Sequence, residues 1–534
     1  MEKEELNVND GDGTKRKFHE FDDVFVNLVR SFGTYQRLLV VGLNMIILPL
    51  VCQFDSLVYA LGTPGFHCET ANVTCPPKQC CENCTSYVFD GPYHSTVSEW
   101  RLICDKAYLG ATLQSVYFIG MLFGSFLTGM VSDAWGRKNC LFLFTGIMLA
   151  AGVASTLVDC VSFFAFLRFL VGFGLSGAML SQFIYLMEIV GPKRRTLTGY
   201  VAYLFWGGFG LVILLFAYFI RGWRTLLLAG TLPAILLFPF WRWIPESPRW
   251  LVANGGLDEA HAVLVKFGAK RGNTIDEGAL RELLDAVRED QLEREKDVKK
   301  HTALDLLKTP KLRRWTLNIC FQWFAVALVN FGIFIFVSQL AGNLYVNYAI
   351  MRTLTTVRVP PLYFLTLKFG RRLVHGSCLL LGGTILLIIL GFHESYPLAT
   401  TGLAVTGFMV FYCAWTTTYL ITAELFPTVL RNTAQGVGST AARIGAMLAP
   451  YIAMSGQLPG TSVALPATIC GVIALIAAVA TYWIPETLYA NMHQTAQEAE
   501  RAEDDYGIPC CGGSQRARWQ EEVSGKPLMM TEKA

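Results

Sequence analysis

The chain has 534 residues, of which 53% are hydrophobic and 16% charged, with a formal net charge of +3 and a mean hydropathy of +0.40. Soluble domains carry about 25% charged residues, so bilayer is the expected solvent, and so small and dispersed a net charge argues against a nucleic-acid partner. No phosphate-binding glycine loop, metal-ligand cluster or activated nucleophile stands at a suitable spacing, which argues against an enzyme and against a bound metal or cofactor.

Residues 1–30 carry charges throughout and have no apolar core, so they read as a cytoplasmic segment rather than a cleaved signal peptide. Apolar stretches of about 20 residues, enough to cross a ~30 Å hydrocarbon core, begin near 36, 108, 139, 162, 198 and 223, and again near 316, 343, 374, 397, 433 and 463. This spacing predicts twelve membrane spans in two halves, 31–245 and 315–486. A cytoplasmic helical linker, 246–314, joins the halves, and a cytoplasmic tail, 487–534, follows them. The eighth span is the weakest, because Arg352, Arg358, Pro360 and Pro361 interrupt it.

Between the first two spans, the polar loop 62–107 holds Cys68, Cys75, Cys80, Cys81, Cys84 and Cys104. No histidine interleaves at zinc spacing, so three disulfides in an oxidising compartment are expected; six cysteines allow fifteen pairings, all open from the sequence. Asn72 and Asn83 open glycosylation sequons in the same loop. Arg137-Lys138, Lys193-Arg194-Arg195, Lys368 with Arg371-Arg372, and Arg431 fall on alternate loops. The positive-inside rule then puts both termini in the cytoplasm of a multi-pass plasma-membrane protein, with the cysteine-rich loop outside.

Three strings occur twice, about 235 residues apart: Gly136-Arg137-Lys138 and Gly370-Arg371-Arg372, Glu188 with Arg195 and Glu424 with Arg431, Pro245-Glu246-Ser247 and Pro485-Glu486-Thr487. Two similar membrane halves are the usual build of a secondary transporter. Asp133, Arg137, Glu188, Arg195, Glu246, Arg249, Glu424 and Arg431 all fall at cytoplasmic helix ends and are assigned to gating. Their expected pairs are Glu188 with Arg194 or Arg195, Glu424 with Arg431, and Glu246 with Arg249, bonds that break and form as conformations exchange. Leu367 stands where the second copy would carry its counterpart of Asp133, so that latch is expected to be weaker.

Gly129-x-x-x-Asp133-x-Trp135-Gly136-Arg137-Lys138 resembles the signature loop of the major facilitator superfamily. Ser98-Glu99-Trp100-x-Leu102-x-Cys104-Asp105, Pro245-Glu246-Ser247-Pro248-Arg249-Trp250-Leu251 and Ala423-Glu424-Leu425-Phe426-Pro427-Thr428-x-x-Arg431-Asn432 together resemble the organic cation, organic anion and carnitine transporters. The resemblance covers nearly the whole chain, and the cysteine-rich loop separates it from sugar porters, which share Pro-Glu-Ser-Pro-Arg. It implies an all-α membrane protein with the major facilitator fold, two six-helix bundles and transport by alternating access.

Arginines at membrane depth usually line a wet cavity or meet a partner. Arg168 matches a superfamily motif and is read as structural. Arg443 falls where the resemblance implies an acid in organic-cation members and an arginine in anion and carnitine members, and its planar fork suits a carboxylate. Arg358 is a departure, since relatives usually carry an acid there. Asn330-Phe331-Gly332 stands where relatives commonly have two tyrosines. Tyr117, Phe205, Trp206, Trp323, Phe324, Phe331, Tyr412, Trp415 and Tyr419 are the expected aromatic lining of a substrate cavity.

The expected function is therefore a carrier of small organic anions or zwitterions, carnitine-like in charge, working in membrane lipid with its coupling ion unspecified. The alternatives are an organic-cation carrier using Asp55 and Glu188, and a transporter-like surface receptor that turns over no substrate.

Overall fold

The computed structural model describes residues 7–9, 15–17, 21–29, 32–69, 80, 84, 86–268, 276–297, 302–336, 342–392, 395–458, 461, 462, 464–488, 496–502 and 506. The glycosylation candidates Asn72 and Asn83, and the cysteines Cys75 and Cys81, lie outside them. The described residues are dominated by helices: α1 (Phe21–Asn27), α2 (Thr34–Ala60), α3 (Ala107–Trp135), α4 (Arg137–Ser155), α5 (Val161–Glu188), α6 (Pro192–Phe219), and α7 (Trp223–Thr231), which tightens into a 3-10 stretch, Leu232–Arg242. Polar helices α8 (Pro248–Ala253), α9 (Leu257–Gly268) and α10 (Glu277–Asp297) form the linker. There follow α11 (Pro310–Phe336), α12 (Leu344–Val357), α13 (Val359–Phe369), α14 (Arg371–Phe392), α15 (Pro397–Leu425), α16 (Thr428–Ser455), α17 (Leu465–Ala480) and the short α18 (Ala496–Arg501).

Ten of these segments are long and apolar enough to cross a membrane, against the twelve spans expected. The eighth falls short because it breaks into α12 and α13: Pro360 and Pro361 supply no N–H donors, so Arg358 ends one helix and starts the next. The eleventh, α16, has the length but not the apolarity, since Arg431, Gln435 and Arg443 lie along it.

The chain clusters into two compact units that cut across the sequence halves: 1–55, 120–213 and 227–300 in the first, 56–119, 214–226 and 301–534 in the second. In the first unit, α3 and α5 meet through Gly120 and Gly124. A Cβ added at either would collide with the carbonyl oxygen of Phe169 or Phe173, the small-xxx-small contact that lets membrane helices approach closely. Gly124→Val should therefore cost about 1–3 kcal/mol of overpacking strain, read as a lower thermal midpoint of the detergent-purified protein; an unchanged midpoint would contradict this contact. The linker packs in the same unit, with Leu251, Val252, Leu264, Leu280, Leu284 and Val287 buried and Arg281 paired with Asp258 at 2.6 Å.

In the second unit, Trp323, Ile421, Leu425, Phe426, Leu430 and Ala442 share one core. Gly445 brings α16 against the backbone of α11 at Phe324. A two-stranded hairpin, Phe66–Cys68 with Tyr87–Phe89, carries the cysteine-rich loop, and Phe66 faces Phe89 across it.

Candidate functional site

The repeated strings build the same arrangement twice. Gly136 (φ 94°) and Gly370 (φ 89°) adopt the left-handed conformation that suits glycine, turning the chain sharply into α4 and α14. A carboxylate sits on each new helix N-terminus, where free N–H groups point at it. Glu246 accepts from the backbone N–H of Arg137 (2.9 Å), Lys138 (3.1 Å) and Ser247 (2.8 Å). Glu486 accepts from those of Arg371 (2.8 Å), Arg372 (3.1 Å), Thr487 (3.0 Å) and Leu488 (2.9 Å). Burial raises both carboxyls above the ordinary glutamate range, and the N–H donors offset part of that rise.

The side chains of these turns pair in parallel. Arg137 binds Glu188 at 3.1 Å, and the Ser247 hydroxyl donates to Glu188 at 2.5 Å. Arg371 binds Glu424 at 3.1 Å, and the Thr487 hydroxyl donates to Glu424 at 2.6 Å. Asp133 adds a 2.6 Å bond to Arg137, which Leu367 cannot give Arg371.

Two expected pairings are corrected. Glu188 pairs with Arg137 rather than Arg194 or Arg195, because the chain reversal at Gly136 brings Arg137 alongside it. Arg195 instead forks onto Asp22 of α1 at 2.6 and 2.8 Å. Arg249 leans toward the same aspartate at 3.8 Å rather than toward Glu246, whose oxygens are taken up by the α4 N-terminus and the Ser247 N–H. Arg431 is half-buried on the first turn of α16.

Deeper in the second unit, helical spacing sets Tyr412, Thr416 and Tyr419 along one face of α15. The Arg358 guanidinium covers the Tyr412 ring at 4.1 Å and donates to the Thr416 hydroxyl at 3.3 Å. Tyr419 lies within electrostatic reach of both Tyr412 and Arg443, and Arg443 also of Tyr117. No described acid forms an ion pair with Arg358 or Arg443, and each guanidinium Nε is buried without a hydrogen bond.

A chain of rings runs from Tyr117 to Tyr419, the two tyrosines within electrostatic reach of Arg443. Tyr117 meets Phe118 at 5.7 Å, Phe118 meets Phe331 at 5.0 Å, Phe331 meets Trp415 at 6.0 Å, and Trp415 meets Tyr419 at 5.9 Å. Phe331, Tyr412, Trp415 and Tyr419 keep accessible surface, whereas Tyr117 and Trp323 are almost fully buried and form the backing. The Trp323 indole N–H donates to Thr422 at 3.0 Å. Phe118 and Thr422 went unpredicted, since nothing in their local sequence sets them apart. Phe324 is half-buried on α11. Phe205 and Trp206 belong to the first unit, where they pack on Phe209 (5.6 Å) and Phe54 (6.0 Å).

Arg168 is buried, donates to Gln53 at 3.3 Å and covers the Phe164 ring, as a structural residue would. Asp55 is buried on α2. Arg352 donates to the Tyr348 hydroxyl at 2.9 Å, between the rings of Tyr348 and Phe334.

At the end of the second unit that carries the cysteine-rich loop, uncharged contacts tie α2 and α3 to α12 and α16. The Ser115 hydroxyl donates to the Met447 carbonyl at 2.7 Å, Thr112 and Tyr451 share a bond of 3.1 Å, and Tyr59 packs edge-on against Tyr348 at 5.4 Å. Among the described residues, the disulfides Cys68–Cys84 and Cys80–Cys104 staple the loop, and the Cys80 N–H donates to the Gln457 carbonyl at 3.4 Å. Glu99 of the Ser-Glu-Trp motif accepts at 2.6 Å from both the Trp223 indole and Arg224.

Residues 62–502 match the sugar (and other) transporter family. The chain is 30% identical to the organic cation transporter protein of Drosophila melanogaster, over 90% of this chain and 94% of that one. It is 33% identical to the human organic cation/carnitine transporter 2, over 77% and 72% of the two chains, and 34% identical to bovine solute carrier family 22 member 7, over 77% and 74%. Among solved structures, the inward open conformation of the xylose transporter XylE from E. coli aligns with a TM-score of 0.62 at 17% identity. It covers 84% of this chain and 96% of XylE, a likeness of fold alone.

Proposed function

The chain is a member of the organic cation, organic anion and carnitine transporter family of the major facilitator superfamily, and we propose that within it this protein carries small organic ions bearing a carboxylate. One observation carries the reading: Arg443 is a half-buried guanidinium within electrostatic reach of the accessible Tyr419 ring, with no described acid paired to it. A charge at membrane depth calls for a counter-charge, and a planar guanidinium fork takes a carboxylate through two parallel bonds. Phe331, Trp415 and Tyr419 offer flat apolar faces to the organic body of the substrate. A second positive group, Arg358, occupies the face of Tyr412, the ring that a quaternary ammonium would otherwise use.

Transport proceeds by alternating access on this reading. The uncharged seal beside the cysteine-rich loop closes one end. The paired latches at Arg137–Glu188 and Arg371–Glu424 hold the helix ends whose bonds exchange as the other end opens and closes.

A flux screen in proteoliposomes tests this directly, comparing carboxylated anions, zwitterions and quaternary ammonium compounds of similar size, with and without sodium. Saturable uptake of carboxylates, resisted by simple quaternary amines, is the expected result. Uptake of quaternary amines alone would reverse the assigned charge, and binding without flux would make the protein a receptor.

A further inference from the structure

Two thiols far apart in sequence meet beside Arg358. Cys378 lies two turns into α14, about 10 Å along the axis from Arg371. Cys413 lies on the facing stretch of α15, and the two helices press together where a Cβ on Gly382 would overlap the Phe411 ring. Cys378 packs against the cluster that holds Cys413, and Arg358 lies within electrostatic reach of both thiols. They pack with Leu362, Val374 and Phe369 in a small apolar cluster. Neither is in a disulfide; Cys378 is half-buried and gives an approach, while Cys413 is buried behind it. Among the described free cysteines, these two share one packed cluster.

We propose that Cys378 and Cys413 form a dithiol site that captures soft, thiophilic electrophiles, with trivalent arsenicals as the class that reads it out. Two sulfurs in one packed cluster between tightly pressed helices can close on one soft centre without the helices moving apart. With an arsenic oxide, R–As=O, two As–S bonds form and the As=O bond is lost. The two thiol protons leave with the oxide oxygen as one water, and arsenic stays trivalent throughout. The site is independent of which organic ion the protein carries.

The test uses the full-length purified protein with Cys510→Ser and Cys511→Ser introduced, since the tail holds an adjacent pair of its own. After incubation with phenylarsine oxide, mass spectrometry maps the cysteines protected from alkylation. Joint protection of Cys378 and Cys413 is expected, reversed by 2,3-dimercaptopropanol but not by an equal thiol concentration of 2-mercaptoethanol. Cys378→Ser and Cys413→Ser should each weaken capture about 100-fold, because the second bond no longer forms intramolecularly, whereas Cys320→Ser should leave it unchanged. Protection that survives either single substitution, or that is missing from both thiols in the unsubstituted pair, overturns the site. If either serine variant does not fold, the protection map and its reversal decide alone.

Discussion

Replacing Arg443 by alanine is expected to lower uptake of carboxylated substrates by roughly 10- to 150-fold, the loss of a charge-assisted hydrogen-bonded contact worth about 1.5–3 kcal/mol. No described acid pairs with this arginine, so its removal leaves no protein carboxylate newly unpaired, and the damage falls on substrate rather than on folding. Cell-surface abundance and thermal midpoint should therefore stay close to those of the parent. Arg443→Lys should recover only part of the activity, since a lysine keeps the charge but not the planar fork. Arg358→Ala should cost less, because that guanidinium already spends contacts on Tyr412 and Thr416. Radiolabelled uptake, normalised to surface protein, decides; carboxylate transport untouched by Arg443→Ala would remove this arginine from the substrate path.

The second large effect belongs to stability. Glu246→Ala deprives the backbone N–H groups of Arg137, Lys138 and Ser247 of their acceptor. Each buried donor left unsatisfied costs about 1–3 kcal/mol, so the purified protein should melt many degrees lower. Glu486→Ala, which frees four such donors in the other copy, should behave alike. The effect carries a pH signature. Burial holds the folded carboxyl above the ordinary glutamate range, so its ionised form costs stability near neutrality. As pH falls through the raised value the folded state takes up a proton before the unfolded state does, and that cost is recovered. The alanine variant has no such proton to bind, so the gap between parent and variant should widen from neutrality down to the ordinary glutamate range. A gap independent of pH would mean that this carboxyl is not shifted.

Much of the architecture was legible because its signals are local. Apolar runs, the doubled Gly-Arg turn and the proline pair after Arg358 can each be read within a few residues, and the break between α12 and α13 falls where those prolines stand. What escaped depends on chain reversal. Arg195, seven residues from Glu188, looked like its partner, yet the turn at Gly136 delivers Arg137 from 51 residues away. Asp22, in a charged segment without a long apolar core, reaches Arg195 because Phe21, Val24 and Phe25 of α1 are buried. The Cys378–Cys413 contact joins facing helices and has no short-range signature. Of the aromatic candidates, helix positions alone could not separate accessible Trp415 from buried Trp323, since both lie in uniformly apolar stretches.

The stapled loop also bears on biogenesis. The two bridges among the described residues join cysteines only 16 and 24 residues apart, so their partners emerge from the ribosome almost together. The carbonyl that receives Cys80, on Gln457, is synthesised more than 350 residues later. Oxidative maturation can thus finish on a nascent chain that still lacks most of its later helices, which then assemble beneath a lid made in advance.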